Sequence, residues 1–262
     1  MPFVTAGGHR LEYEWVGAPS AGAPALVMLH EGLGSVALWR AFPQAAQAET
    51  GMPVLVYSRW GYGKSDPIAQ GPRPVDYMTP EGRETLPELL TKLGVARPIL
   101  LGHSDGGSIA LIHAGSGAAP RPLGVITMAA HVFVETISTI SIAKARVAYE
   151  ESDLRQKLAR FHDDVDGAFY SWNCTWLLPD FIRGFNIEAD VARIRCPITA
   201  IQGADDEYGT QKQLDSIRAK SQGRAEIVLI PSCRHSPHRD QKAATLAAIK
   251  QHVARALAGA AA

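Results

Sequence analysis

Cysteine is scarce in this chain and charge of one sign is never concentrated, and each shortage narrows what the protein can be. Cys174, Cys196 and Cys233 are the only three cysteines in 262 residues. An odd number with no Cys-x-x-Cys spacing supplies neither a disulfide framework nor a zinc knuckle, so reduced structural thiols are expected. Lys plus Arg balance Asp plus Glu at 26 each. With no long run of either sign, the electrostatic footprint for nucleic acid or an anionic membrane is missing. No apolar run reaches the ~18 residues of a membrane span, and Met1 to Val16 hold no basic stretch leading into an apolar one. The expectation is a cytoplasmic protein, monomer or homodimer, whose partner is a small molecule.

What is present suits a packed enzyme: 46% of the residues are apolar and 20% charged, enough to bury a substantial core. Leu11, Tyr13 and Trp15 alternate with Glu12 and Glu14 after Gly7-Gly8, which predicts an antiparallel hairpin with one buried face. Apolar runs at Ala25 to Leu29, Val54 to Tyr57, Ile99 to Leu101, Val125 to Met128, Ile198 to Ile201 and Ile227 to Ile230 read as strands buried on both faces of a parallel sheet. Helical patterns separate them at Val36 to Ala48, Pro80 to Leu93, Gly106 to Ala114, Gln211 to Lys220 and Gln241 to Leu257, with Thr79 as N-cap of the second. His131 to Ile194 breaks the rhythm with about 60 residues of helical character and no convincing strand. The reading is a core of residues 1–130 and 195–262 with a helical cap, 131–194, over the mouth of the sheet. The alanine-rich tail, Ala254 to Ala262, is expected to fray.

The sharpest chemical signal is Gly102-His103-Ser104-Asp105-Gly106-Gly107, set between a predicted strand and a predicted helix. This is the G-x-S-x-G elbow in its required context: a tight turn strains the serine backbone, and small residues on either side relieve the crowding. A serine hydroxyl needs a base within hydrogen-bond reach and an acid to orient that base. Gly203-Ala204-Asp205-Asp206 and Pro231-Ser232-Cys233-Arg234-His235 each follow the carboxyl end of a strand. His235 is the best base on that placement, His238 its competitor; Asp205 and Asp206 are both candidate acids. For a developing oxyanion, the donors are the backbone N–H of Asp105 and, from the loop His30-Glu31-Gly32-Leu33-Gly34, that of Gly32.

Together these segments, with Arg59-Trp60-Gly61-Tyr62-Gly63-Lys64-Ser65-Asp66 and His235-Ser236-Pro237, resemble the α/β-hydrolase superfamily over essentially the whole chain. The resemblance implies an eight-stranded, mostly parallel sheet flanked by helices, with the cap inserted after the sixth strand. It also implies the order serine, acid, histidine and favours Asp206 as the acid. The implied activity is hydrolysis of a small carboxylic ester or lactone through an acyl-enzyme on Ser104, with no metal and no cofactor. Superfamily dehalogenases and epoxide hydrolases use an aspartate where this chain has Ser104. Its carbon–carbon bond hydrolases commonly carry a tryptophan soon after the histidine, where Ser236 to Asp240 stand here. A carbon–carbon bond or enol-lactone hydrolase on the same triad, and a ligand-binding protein with little turnover, remain alternatives. Glu31 and Arg234 depart from the family, which usually has glycine at both places.

Gly32-Leu33-Gly34-Ser35-Val36-Ala37 also fits a dinucleotide fingerprint, with Ser58-Arg59 placed for a 2′-phosphate, as in an NADP-dependent reductase. That alternative leaves the elbow and both partner loops unexplained. Gly63-Lys64-Ser65 lacks the leading glycine of a P-loop, since position 58 is serine. For the pocket, Phe169, Trp172 and Trp176 share one helical stripe, with Phe181 and Phe185 nearby, and His131 and Phe133 open the cap. Glu31, Leu33, His131, Phe133, Trp172 and Trp176 are the expected lining. Carboxylates at Glu31 and Asp105 would repel anions unless Glu31 pairs with Arg59, so a neutral or cationic apolar ester is expected.

Overall fold

The apolar runs of the chain assemble into one sheet, and the amphipathic segments between them pack on both of its faces; a computed structural model describes residues 1–260. The hairpin β1 (Phe3–Ala6) and β2 (His9–Val16) is antiparallel. It leads to β3 (Pro24–Leu29), α1 (Phe42–Thr50), β4 (Val54–Tyr57), α2 (Met78–Pro80), α3 (Leu86–Lys92), β5 (Arg97–His103), α4 (Asp105–Ser116) and β6 (Gly124–Met128). Five helices follow before the sheet resumes: α5 (Thr136–Glu151), α6 (Leu154–Leu158), α7 (Val165–Trp176), α8 (Pro179–Gly184) and α9 (Glu188–Arg193). The chain closes with β7 (Ile198–Gly203), α10 (Gln211–Lys220), β8 (Ala225–Ile230), α11 (Pro237–Asp240) and α12 (Lys242–Gly259). The eight strands run in the order β1-β2-β4-β3-β5-β6-β7-β8, parallel from β4 onward. Among the described residues no helix is long and apolar enough to cross a membrane.

Several local expectations need correction. Glu12 does not face solvent: it is buried and accepts a 2.5 Å hydrogen bond from Ser58 Oγ, because β4 and the loop after it close over β2. Thr79 does not cap its helix. The turn starts earlier, with Thr79 N donating to Asp76 O, so that Pro80 falls in the first turn, where its missing N–H is not needed. Arg40, at φ 52°, divides the segment after β3 into a 3-10 turn (Ala37–Trp39) and α1. Strand β8 is not doubly buried; it is the edge strand, and Leu229 is exposed. The alanine-rich tail is helical to Gly259, held by buried Val253 and Ala256, while Ala261 and Ala262 lie outside the described residues.

The β5–α4 junction positions the rest of the site. Ser104 has φ 51° and ψ −118°, a conformation that costs a non-glycine residue on the order of 1–3 kcal/mol. The crowding around it is read at two glycines. A Cβ on Gly102 would stand 2.2 Å from Gly106 O, and one on Gly106 would stand 2.2 Å from Leu29 O. The first turn of α4 therefore lies directly on the ends of β3 and β5, and only hydrogen fits between. Gly102→Ala or Gly106→Ala is expected to lose about 3 kcal/mol in urea unfolding. Gly184→Ala, where a Cβ meets nothing within 4 Å, should stay within ~0.5 kcal/mol of the unmodified protein. Equal losses at the three positions would contradict the close-contact account.

Candidate active site

Three loops at the carboxyl edge of the sheet meet at Ser104. His235, after β8, places Nε2 3.0 Å from Ser104 Oγ. Asp206, after β7, places Oδ1 2.8 Å from His235 Nδ1. Asp206 Oδ1 also accepts from the N–H groups of Tyr208 at 2.9 Å and Gly209 at 3.3 Å, which fixes the carboxylate. An ionised carboxylate only accepts, so Nδ1 carries the proton and the lone pair of Nε2 faces the hydroxyl.

Electrostatics agree with this tautomer. Burial alone would raise Asp206, but the charge of His235 and its hydrogen bond hold the carboxyl below its usual range. For His235, burial acts to lower the imidazole, and the Asp206 charge and hydrogen bond overcome it, leaving it raised. His131, buried with its ring 5.8 Å from that of His235, is pushed down to about 4 by burial and by its neighbour's charge. It is a neutral ring in the pocket wall.

The rival candidates fall elsewhere. Asp205 is exposed and only its N–H is engaged, by Cys233 O. His238 packs against Trp39 and Phe42, where burial and the charge of His103 push it down to about 3. Gly32 borders the same cavity as Ser104. The N–H groups of Gly32 and Asp105 find no protein acceptor among the described residues, which leaves both donors free for a developing negative oxygen. The Asp105 side chain, by contrast, does not flank the pocket. It turns into the core, accepting from Tyr77 Oη at 2.6 Å and lying 3.7 Å from Arg59 Nη2. Nor does Glu31 pair with Arg59 through its carboxylate. Arg59 lies beneath the loop and donates to the Glu31 main-chain oxygen at 2.9 Å, while Glu31 Oε2 stands 3.3 Å from His103 Nδ1. Buried and occupied in this way, Arg59 presents no guanidinium to a 2′-phosphate.

The cavity over Ser104 measures about 230 Å³. Of the expected lining, Glu31, Leu33, His131, Trp172 and Trp176 border it. Phe133 does not: it bridges to Asn186 and opens onto a separate recess beside Lys212. Phe169 stacks on Tyr149, with ring centroids 3.7 Å apart, and serves the core of the inserted helices. Sequence reasoning missed Leu38, His103, Ile142, Leu158, Glu207, Tyr208, Ser236 and Arg239. Adjacency to Ser104 and Asp206 was a usable signal for His103, Glu207 and Tyr208; no pattern marks Ile142 or Leu158, whose positions depend on how the insert packs. Among the described residues, no group of three or more His, Cys, Asp or Glu is placed to hold a metal ion.

The sequence model of the alpha/beta hydrolase family matches residues 26–249. Among solved structures, an enol-lactonase from Burkholderia xenovorans is similar at 21% identity and a TM-score of 0.74, covering 97% of this chain and all of that one. A hydrolase from Pseudomonas aeruginosa is similar at 21% identity and a TM-score of 0.72, covering 96% of this chain and 97% of its own. A thermophilic esterase from Thermogutta terrifontis, with malate bound, shares 17% identity at a TM-score of 0.69, over 97% of this chain and 98% of its own. At such identities the likeness is one of fold. No curated protein is matched in sequence.

In an NMR titration, His235 should protonate above the ordinary histidine value of 6.5, whereas His131 should stay neutral down to about 4. Asp206→Asn removes the negative charge that favours the imidazolium, so the His235 midpoint should fall. An unmoved midpoint would contradict the pairing.

Proposed function

The chain belongs to the alpha/beta hydrolase family, and on that basis we propose that it hydrolyses a small, neutral carboxylic ester or lactone through an acyl-enzyme on Ser104. One observation carries the reading: the hydrogen-bonded line from Ser104 Oγ through His235 to Asp206, at 3.0 and 2.8 Å.

In this mechanism the substrate carbonyl sits above Ser104 with its oxygen toward the N–H groups of Gly32 and Asp105. As Oγ attacks, its proton passes to His235 Nε2, and the imidazolium that forms is stabilised by Asp206 through Nδ1–H. The tetrahedral oxyanion gains hydrogen bonds that the planar carbonyl made less well, which lowers the barrier rather than merely tightening binding. Collapse expels the alcohol oxygen, protonated by His235. Water then repeats the sequence, His235 taking its proton, and the acid leaves while Ser104 recovers its own. In a lactone the expelled oxygen stays tethered to the acyl chain, and the product is a hydroxy acid.

The walls support the substrate class. Leu33, Leu38, Ile142, Leu158, Trp172 and Trp176 give an apolar lining around a volume suited to a small acyl group. With the Asp105 carboxylate turned into the core and Glu31 beside His103, the case for a cationic substrate lapses and a neutral one is favoured. We read residues 131–194 as the cap that supplies the upper wall, since four of those six apolar residues lie within it.

The test is a fluorophosphonate label followed by a panel of short aryl esters and lactones. Ser104 should be labelled, and Ser104→Ala should lose labelling and about 10⁴-fold or more in kcat/KM. Asp206→Asn should lower kcat by about 10⁴-fold, since the wrong tautomer then faces the serine. Its residual acid limb should move to lower pH, because the base must be neutral and its raised value rests on Asp206. An unreactive Ser104 would favour a ligand-binding protein with little turnover. Anionic esters turned over faster than neutral ones would overturn the substrate class.

A further inference from the structure

We propose that Glu31 and His103 form an ion-paired strut, His103 bearing a proton on each ring nitrogen, which holds the main chain of His235 in place for the reaction. The inference rests on the triad reading and concerns positioning residues rather than groups that touch the reacting atoms.

The two residues are placed for this by sequence. Glu31 immediately precedes Gly32, and His103 immediately precedes Ser104. Both follow from the ends of adjacent strands, β3 and β5, which pair Leu29 with Gly102. The His103 side chain is only 1% exposed. Its Nε2 is 2.7 Å from the main-chain oxygen of His235, and its Nδ1 is 3.3 Å from Glu31 Oε2.

The protons follow from what each atom can do. A carbonyl oxygen only accepts, so Nε2 must carry hydrogen. Burial would raise Glu31, but its side chain is 24% exposed and the hydrogen bond from His103 Nδ1 holds the carboxyl below its usual range, so it is ionised near neutral pH. Ionised, it too only accepts, so Nδ1 must also carry hydrogen. His103 is then an imidazolium balanced by one carboxylate. This is the arrangement in which a buried charge is tolerated, because removing either partner would strand the other.

Both ends of the strut are fixed. The Glu31 main-chain oxygen accepts from His30 Nδ1 at 2.6 Å, Arg59 Nη2 at 2.9 Å and Gly34 N at 3.1 Å. Gly34 leaves room for the carboxylate, since a Cβ there would stand 2.5 Å from Oε2. At the other end His235 is held twice along its backbone, at oxygen by His103 and at nitrogen by Glu207 Oε2, 3.1 Å away. One line of contacts thus ties together the loops bearing the oxyanion donor, the nucleophile and the base. It also neutralises a carboxylate that would otherwise face the substrate.

The test compares Glu31→Gln with Glu31→Ala. Glutamine can donate to an unprotonated Nδ1 and leave Nε2–H on the His235 oxygen; alanine can do neither. Glu31→Ala is expected to lower kcat by about tenfold or more, the scale on which small misplacements act, and Glu31→Gln to recover most of that loss. In ¹⁵N NMR near neutral pH, His103, assigned by its disappearance in His103→Gln, should show two protonated ring nitrogens in the unmodified protein. It should show only Nε2–H in Glu31→Gln. A single protonated nitrogen in the unmodified protein, or equal losses in the Gln and Ala variants, would overturn the strut. The NMR signature is read without turnover, so an unlabelled Ser104 would sink the catalytic reading while the ion pair is still decided.

Discussion

The structure turns on a backbone bend that a serine does not adopt by preference. Ser104 sits at φ 51° because β5 must give way to α4 within one residue, and the contacts across Gly102, Gly106 and Leu29 leave no wider path. The strain is repaid by position. The hydroxyl stands clear of both strand and helix, where His235 Nε2 meets it. The same bend frees the Asp105 N–H at the positive end of α4, where negative charge is favoured. The Ser104 hydroxyl that meets His235 and the free N–H of Asp105 are therefore adjacent features with one geometric cause.

Around that bend the protein buries several polar and charged groups, among them His30, Arg59, His103, Asp105 and Asp206, and their pairing decides which are inert. Arg59 is 1% exposed, yet it meets two main-chain oxygens, the Asp105 carboxylate and the face of Tyr62. Through Nη2 and its charge, though Nε has no partner among the described residues, the guanidinium ties the loops after β3 and β4 to the start of α4. His30 shows the same economy: Nε2 accepts from Arg59 N at 3.0 Å, so Nδ1 must donate to Glu31 O, and burial keeps the ring neutral. Asp206 Oδ2, like Asp105 Oδ1, is buried with no hydrogen-bond partner among the described residues, whereas Asp206 Oδ1 accepts three.

The meeting of Ser104, His235 and Asp206 is far more legible in the sequence than the pocket walls, for a physical reason. Ser104, Asp206 and His235 sit just past strands, and parallel strands bring their carboxyl ends to one edge whatever their spacing in the chain. Apolar runs announce those strands, so the placement of the three loops follows without any knowledge of side-chain contacts. Side-chain direction is another matter. Glu31 does border the cavity, but its carboxylate turns to His103 rather than Arg59, and the start of α4 turns Asp105 away toward Tyr77 and Arg59. Glu12 was read as solvent-facing from strict alternation, which fails once a loop covers the second face of the strand. Phe133 lies two residues from His131, where a regular extended chain would keep both on one side, but it bridges to Asn186 and borders a separate recess beside Lys212 instead.

The inserted helices show why pocket walls resist such reading. In α7 one periodic stripe carries Phe169, Trp172 and Trp176, and periodicity treats all three alike. Phe169 is claimed by Tyr149 on α5, whereas Trp172 and Trp176 reach the cavity above Ser104. The difference arises from where α5 crosses α7, a tertiary fact that neither helix encodes alone. Trp172 lies so close to the loop after β3 that a Cβ on Gly32 would meet its indole nitrogen at 2.2 Å. Gly32 is thus constrained twice, by the need for a free N–H beside Ser104 and by the ring packed over it. A change in the insert that moved this tryptophan would alter the space beside the Gly32 N–H without touching Ser104, His235 or Asp206. The N–H beside Ser104 and the tryptophan wall of the cavity thus come from different stretches of the chain and meet at one glycine.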